Sequence, residues 1–230
     1  MGSCGLRSVP ELVANDDFLK RHHDTNALHY WANWCLCNIA AKMAIGIVTD
    51  RRDIYNEGIG HLQTGDTNGR LRRAIYHDYA PDYNFAQWQE SGRDQGHTLM
   101  CVGLMGVICQ LAWSQGDDFF AYDDNLFMRA CEYAACCNYT NETVPYTTYI
   151  WQKQSQWGYP IPEEQTTLGG GKWIKRAIWA LPYYHYKGVK NISDDNLKYT
   201  KIATEYVGIE GGGGYYDANS GGYDVLGLGT

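Results

Sequence analysis

Apolar residues recur at helical spacing along almost the whole chain, and hardly any stretch alternates at period two. Positions 26–49 set Trp31, Trp34, Ile39, Met43, Ile45 and Ile47 among small residues, which predicts a long buried helix. Asp50-Arg-Arg-Asp53 opens a second, amphipathic helix running to about Gln63, and the turn-forming residues of 64–69 predict a loop. The apolar run 98–109 predicts a buried central helix, entered from about Gln89 and ending near Gln115-Gly116. In it, Gly96, Gly103 and Gly106 are expected to let neighbouring helices approach closely. Asp123-Asp-Asn125 opens a further helix through Cys137. Residues 138–171 carry Pro145, Pro160, Pro162 and three successive glycines, so they predict a long irregular excursion of the kind that often serves function. Helices are expected again over 172–186 and 194–207. The glycine-rich end, 211–230, contains no Gly-Lys-Ser/Thr and is therefore no phosphate loop. Successive helices without alternating strands predict an all-α domain, most simply a helical toroid or part of one. Residues 1–25 are read as an amino-terminal extension or partial helix, and 26–230 as the domain itself.

Ahead of the central apolar run stands Gln87-Trp-Gln-Glu-Ser-Gly-Arg-Asp-Gln-Gly-His97, dense in hydrogen-bonding and titratable groups. A helix beginning at about Gln89 would put Gln89, Arg93 and His97 on one stripe, with Glu90 and Asp94 on the next, where either could hold Arg93. The competing reading is a solvated first turn whose acids face the positive helix end. Trp88 and the terminal His97 favour a polar cluster delivered to a cavity. A second candidate is the basic group Lys172, Lys175 and Arg176, with Arg176 and Tyr183 seven apart and so on one helical face. Pro182 would kink that helix. Its competing reading is a basic solvated face above packed tyrosines. The third is Asn33 between Trp31 and Trp34, a polar side chain that must find a partner inside an aromatic helix.

Composition narrows the partners. The 230 residues are 44% hydrophobic and 14% aromatic, with 19 Tyr and 8 Trp, which suits stacking on flat or amphipathic ligands as well as core building. A formal net charge of −7 argues against nucleic acid, and any polyanion would need a local basic cluster. No window of 18 apolar residues occurs, so no membrane partner is expected. Met1-Gly-Ser-Cys4 has no apolar core, so no signal peptide is expected within this chain. Asn138, Asn141 and Asn191 head Asn-x-Ser/Thr triplets, common by chance, but two lie within four residues and make a glycosylated loop plausible. Eight cysteines point weakly the same way, to a secreted protein, although Cys35, Cys101 and Cys109 sit in apolar runs as buried thiols would. No paired Cys/His spacing calls for zinc, so no metal is expected.

Several of these segments together resemble the alginate-lyase-like polysaccharide lyases of (α/α) toroid fold. They are Asn33-Trp34 with Ala44-Ile-Gly-Ile-Val48, and the Gln89-Glu-Ser-Gly-Arg-Asp-Gln-Gly-His97 motif. Gly116-Asp-Asp-Phe-Phe-Ala-Tyr-Asp-Asp-Asn125, Glu132-Tyr133, Val144-Pro145, the stretch 176–186 and the closing Gly-Gly-Tyr-Asp-Val-Leu-Gly-Leu-Gly-Thr230 continue it. The Glu-Ser-Gly-Arg-Asp-Gln core is the specific part, and the resemblance covers most of the chain from about residue 30. Against it, the chain looks short at its amino end, as though the toroid were incomplete there, and the 146–171 insertion and the Gly-Gly-Gly-Lys approach to Arg176 depart from the pattern. The resemblance implies β-elimination on a uronic-acid polymer of alginate or glucuronan type, without cofactor or metal. It implies Asn33 and Arg176 as neutralisers of the uronate carboxylate and His97 and Tyr183 as acid and base. Gln89, Glu90, Arg93, Trp34, Trp88 and Lys172 would bind substrate or orient His97. The partner would be an acidic polysaccharide, met by a secreted monomer. Two other readings stand beside it: a glycoside hydrolase using Glu90 with Asp94, Asp123 or Asp124 across the scissile bond, and a carbohydrate-binding relative without activity.

Overall fold

Residues 9–208 are described by a computed structural model, and they are mostly helical. The chain runs α1 (Val9–Asp16), α2 (Ala32–Val48), α3 (Arg52–Thr64), the short α4 (Leu71–Ala74), β1 (Ile75–Asp78), β2 (Ala86–Trp88), α5 (Gln95–Ser114) and α6 (Tyr122–Tyr139). Then follow β3 (Tyr149–Gln154), β4 (Pro160–Gln165), α7 (Ala180–Tyr184) and α8 (Lys198–Val207). The all-α expectation holds at this level. The glycine-rich end and Cys4 lie outside the described residues.

Helix α5 is the centre. Twelve of its twenty residues are buried, on all sides, because its sequence is apolar all round rather than along one stripe. By length and composition it could cross a membrane, but here α2 and α6 cover it, as they would the core helix of a globular domain. Gly106 lies against Phe127 and Gln95 is bonded to Asn138, so α5 and α6 run antiparallel. Helices α2 and α3 form a second antiparallel pair, with Gly58 against Met43 and Gly46 against Tyr55. At Gly46 any side chain would run into the backbone nitrogen of Tyr55, so glycine there sets the closeness of the crossing. Gly103 and Gly106 admit Ile178 and Leu181, as expected of close approach; Gly96 faces only its neighbour Asp94.

Several boundaries differ from expectation. Residues 26–31 are not helical, because Asn26 and His29 are bonded to Gln154 and the carbonyls of Leu28 and Tyr30 accept from Asn68. Before α6 turns regular, Asp123, Asp124 and Asn125 all adopt left-handed backbone angles, which Asp and Asn tolerate best. The guanidinium of Arg129 donates to the carbonyls of Asp123 and Asp124 and to the carboxylate of Asp78, which holds that turn. The expected excursion 138–171 contains an antiparallel hairpin, β3 on β4, paired from Tyr149↔Gln165 to Gln154↔Pro160. The expected helix over 172–186 is confined to α7 and a π-helical turn, His185–Val189, while 172–179 is irregular. Residues 9–25, read as an extension or partial helix, contain α1 and pack on the rest of the domain. Phe18 and Leu19 join the main core, and the fully buried Lys42 of α2 pairs with Asp16 and with Glu57 of α3.

The seven described cysteines are all free thiols; only Cys37 is exposed. Cys35, Cys101 and Cys109 are buried as their apolar runs implied, and burial pushes their thiols up, Cys35 to about 11. Of the three sequons, Asn141 and Asn191 are exposed, whereas Asn138 is buried and donates to Gln95 and to the Ala134 carbonyl.

His185 begins the π-helical turn with its ring stacked on Phe120 and edge-on to Trp113. Burial, then the nearby Lys190 ammonium, push it down from 6.5 to about 4. The unfolded chain therefore takes up a proton below pH 6.5 that the folded chain refuses until about 4, so His185 lowers stability as pH falls through that window. His185→Phe should remove this part of the slope. Urea midpoints at pH about 7 and about 5 should show a smaller acid-induced drop in the variant than in the parent.

Candidate functional site

The amino ends of α2 and α5 lie together, and the polar motif 89–97 is wrapped around them. Trp31, at the start of α2, offers no capping side chain. The two missing acceptors come from elsewhere in sequence. Gln89 Oε1 accepts from the Ala32 N–H at 3.0 Å, and Glu90 Oε1 accepts from the Asn33 N–H at 2.8 Å. Both side chains are fully buried. Burial pushes the Glu90 carboxyl up, against the opposing pull of the Asn33 N–H, Arg93 and His97, and the net direction is upward. Its other oxygen accepts from Arg93 at 3.2 Å, and the Cys101 thiol lies 3.7 Å from the first.

The motif is not one helix. Gln89–Gly92 is a 3-10 turn, and Asp94 is extended (φ −170°, ψ 162°). The stripe expected for Gln89, Arg93 and His97 is thus broken, because Asp94 caps α5. Asp94 Oδ1 accepts the His97 N–H at 2.8 Å, while Oδ2 holds His97 Nδ1 at 2.6 Å. One carboxylate caps the helix and fixes the ring. A carboxylate only accepts, so Nδ1 carries the hydrogen and Nε2 is left as the basic nitrogen. His97 remains one-third exposed. Burial pushes the Asp94 carboxyl up, but its bonds and charge interaction with His97, and the charge of Arg93, outweigh this and hold it below its usual value.

Aromatic rings flank the pair. Arg93 lies over the Trp31 ring at 5.2 Å, Trp31 stacks on Trp151 of β3 at 4.7 Å, and Trp151 stacks on His29 at 5.9 Å. Trp34, 52% exposed, stacks on Phe18. Segment 165–171 closes over the motif: Gly169 N–H donates to the Ser91 carbonyl and the Gln95 N–H to that of Gly170.

Asn33, Glu90, Arg93, Asp94 and His97 therefore form one connected cluster, with Asn33 buried and its side-chain oxygen without a hydrogen-bond partner among the described residues. Trp34 and Gln89 adjoin it, Gln89 as a cap rather than a substrate contact. Trp88 is a correction. It is fully buried, donates to the Ala130 carbonyl and meets Phe127 edge-on, so it is core and touches no substrate. Lys172 is exposed and donates to the Thr140 carbonyl. Arg176 is buried on the irregular segment 172–179, near Tyr139, whose phenol burial pushes up against the opposing pull of the Arg176 charge. It shares no helix face with Tyr183. Tyr183 belongs to another network: Lys187 donates to its hydroxyl, which donates to Asp194, itself paired with Lys201. Of the four carboxylates weighed for hydrolysis, three are committed. Glu90 caps α2, Asp94 holds His97, and Asp123 pairs with Arg72.

Asp94 as the orienter of His97 was missed, although an Asp three residues ahead of it could have been read as the N-cap of α5. The Trp31–Trp151 stack left no such signal, since 120 residues separate its members. Among the described residues no group of His, Cys, Asp and Glu could hold a metal ion. Compared with known proteins, the chain matches no protein-family model, no curated protein and no solved structure.

Proposed function

We propose that the chain is a polysaccharide lyase that cleaves a uronic-acid polymer of alginate or glucuronan type by β-elimination, on helices that make up part of an (α/α) toroid. The reading rests on one observation above the others: a one-third-exposed His97 held through Nδ1 by Asp94, beside a guanidinium and stacked aromatic rings. Nε2 of such a ring takes the C5 proton of the uronate. The electrons form the C4–C5 double bond, the C4–O bond breaks, and the proton ends on the departing oxygen. A proton next to a charged carboxylate is hardly acidic, so a donor or cation on that carboxylate must stabilise the developing charge. Asn33 lies in the same cluster and fits this task, and the buried Arg176 is the second candidate; Tyr183 is held in the Lys187–Asp194 network. The toroid is supported by the two antiparallel pairs, α2 with α3 and α5 with α6, and by α2 and α5 starting at the same end. Exposed Asn141 and Asn191 fit a secreted glycoprotein.

The test is incubation of the protein with alginate, polyglucuronate and neutral glucans. A rise in ultraviolet absorbance, from the conjugated unsaturated uronate, is expected on a polyuronate alone. Reducing ends without that absorbance would make the protein a hydrolase, and binding without either would make it a carbohydrate-binding relative.

A further inference from the structure

Resting on that reading, we propose that Arg93 is the residue that contacts the substrate's free carboxylate, so that the site selects unesterified uronate over its methyl ester. The requirement is geometric. The carboxyl carbon of a uronate is bonded to the carbon that loses its proton, so base and neutraliser must be close neighbours. Arg93 meets this: its Nε lies 3.9 Å from Asp94 Oδ2, the same oxygen that holds His97 Nδ1 at 2.6 Å. Tyr183 is engaged instead with Lys187 and Asp194.

The donors are there to do it. A guanidinium has five N–H groups, and Glu90 takes one of them at 3.2 Å. The Asp94 separation is an ion pair, not a hydrogen bond. Glu90 divides its charge between Arg93 and the positive end of α2, which it caps at Asn33, so it does not cancel the guanidinium alone. The Trp31 ring covers one side of the group, and the side chain stays 28% exposed. A planar guanidinium that keeps part of its surface open is the form that grips a carboxylate in two parallel hydrogen bonds.

The experiment compares the parent protein, Arg93→Gln and Arg93→Lys on polyglucuronate and alginate and on their methyl esters. Both elimination and binding are measured, the latter by calorimetry. Arg93→Gln should lower turnover on the free acid by about 100-fold or more, while changing turnover on the ester only a few-fold, since the ester has no charge to neutralise. Arg93→Lys should recover part of the loss, because it restores charge without the paired geometry. In binding, the parent should prefer the free acid and Arg93→Gln should lose that preference. Equal losses on acid and ester, with preference unchanged, would overturn the proposal and make Arg93 a support for Trp31. Far-ultraviolet circular dichroism identifies a variant that has failed to fold, and Arg93→Lys then decides, by the same ratio. If the parent binds polyuronate without cleaving it, the lyase reading falls and the binding preference alone judges Arg93. If it does neither, both readings fall.

Discussion

His97→Gln should lose about 100- to 10,000-fold in turnover on the polyuronate that the parent cleaves best, with little change in stability. The ring is on the first turn of α5, one-third exposed, and among the described residues its side chain bonds only to Asp94, so its removal leaves no packed core open. Glutamine preserves the length and polarity of the side chain but has no basic nitrogen. Asp94→Asn should fall between parent and His97→Gln. An amide at that position can present its NH2 to the ring and favour the wrong tautomer, and it also gives up the charge that steadies an imidazolium. Tyr183→Phe is the contrast. Its hydroxyl is engaged by Lys187 and Asp194, so a change of a few-fold at most is expected. Steady-state turnover for the three variants decides. A His97→Gln protein within tenfold of the parent, together with an inactive Tyr183→Phe, would move the chemistry to the Lys187–Asp194 network.

The largest stability effect should come from Glu90→Leu. Glu90 is fully buried and joins three elements: the start of α2 through Asn33, the turn Gln89–Gly92 through Arg93, and α5 through Cys101. Leucine fills similar space but leaves the Asn33 N–H without its acceptor and Arg93 without its counter-charge. Removing one partner of a buried ionic contact typically costs about 3–5 kcal/mol. Glu90→Gln retains an acceptor for the Asn33 N–H and should cost less, about 1–3 kcal/mol, while keeping part of the activity. Urea unfolding of the three proteins gives the comparison, and a Glu90→Leu midpoint equal to the parent's would show that α2 needs no cap from this side chain.

Helices with a clear apolar period were legible: α3 was placed within two residues at its start and one at its end, and α5 within one residue of its carboxyl end. What failed was set by contacts that periodicity does not carry. Residues 26–31 have enough apolar character to continue α2, but long-range bonds from Asn68 and Gln154 straighten them. Asp94 stops one turn and starts another through a single carboxylate. The strands at 149–154 and 160–165 escaped because Pro160 and Pro162 read as loop, although proline is tolerated on an edge strand such as β4. Of the site, the cluster from Glu90 to His97 was readable because it is contiguous. Trp88 was misjudged since an aromatic beside polar residues looks like a platform, whereas β2 turns it inward. Trp151 gave no signal at all.

The single exposed cysteine among the described residues gives a practical opening. Cys37 follows Trp34 by three positions on α2, so both side chains lie on one helix face, about 5–6 Å apart at their Cβ atoms. Burial pushes all seven described thiols up, Cys37 included, but only Cys37 is exposed to reagent, so a maleimide added near neutral pH should modify it ahead of the others. A fluorophore placed there would stand one helical turn from the Trp34 indole, whose emission it could quench or accept. The same residue that packing left outside the core thereby becomes an optical gauge of whatever comes to rest on the exposed face of α2 beside Trp34.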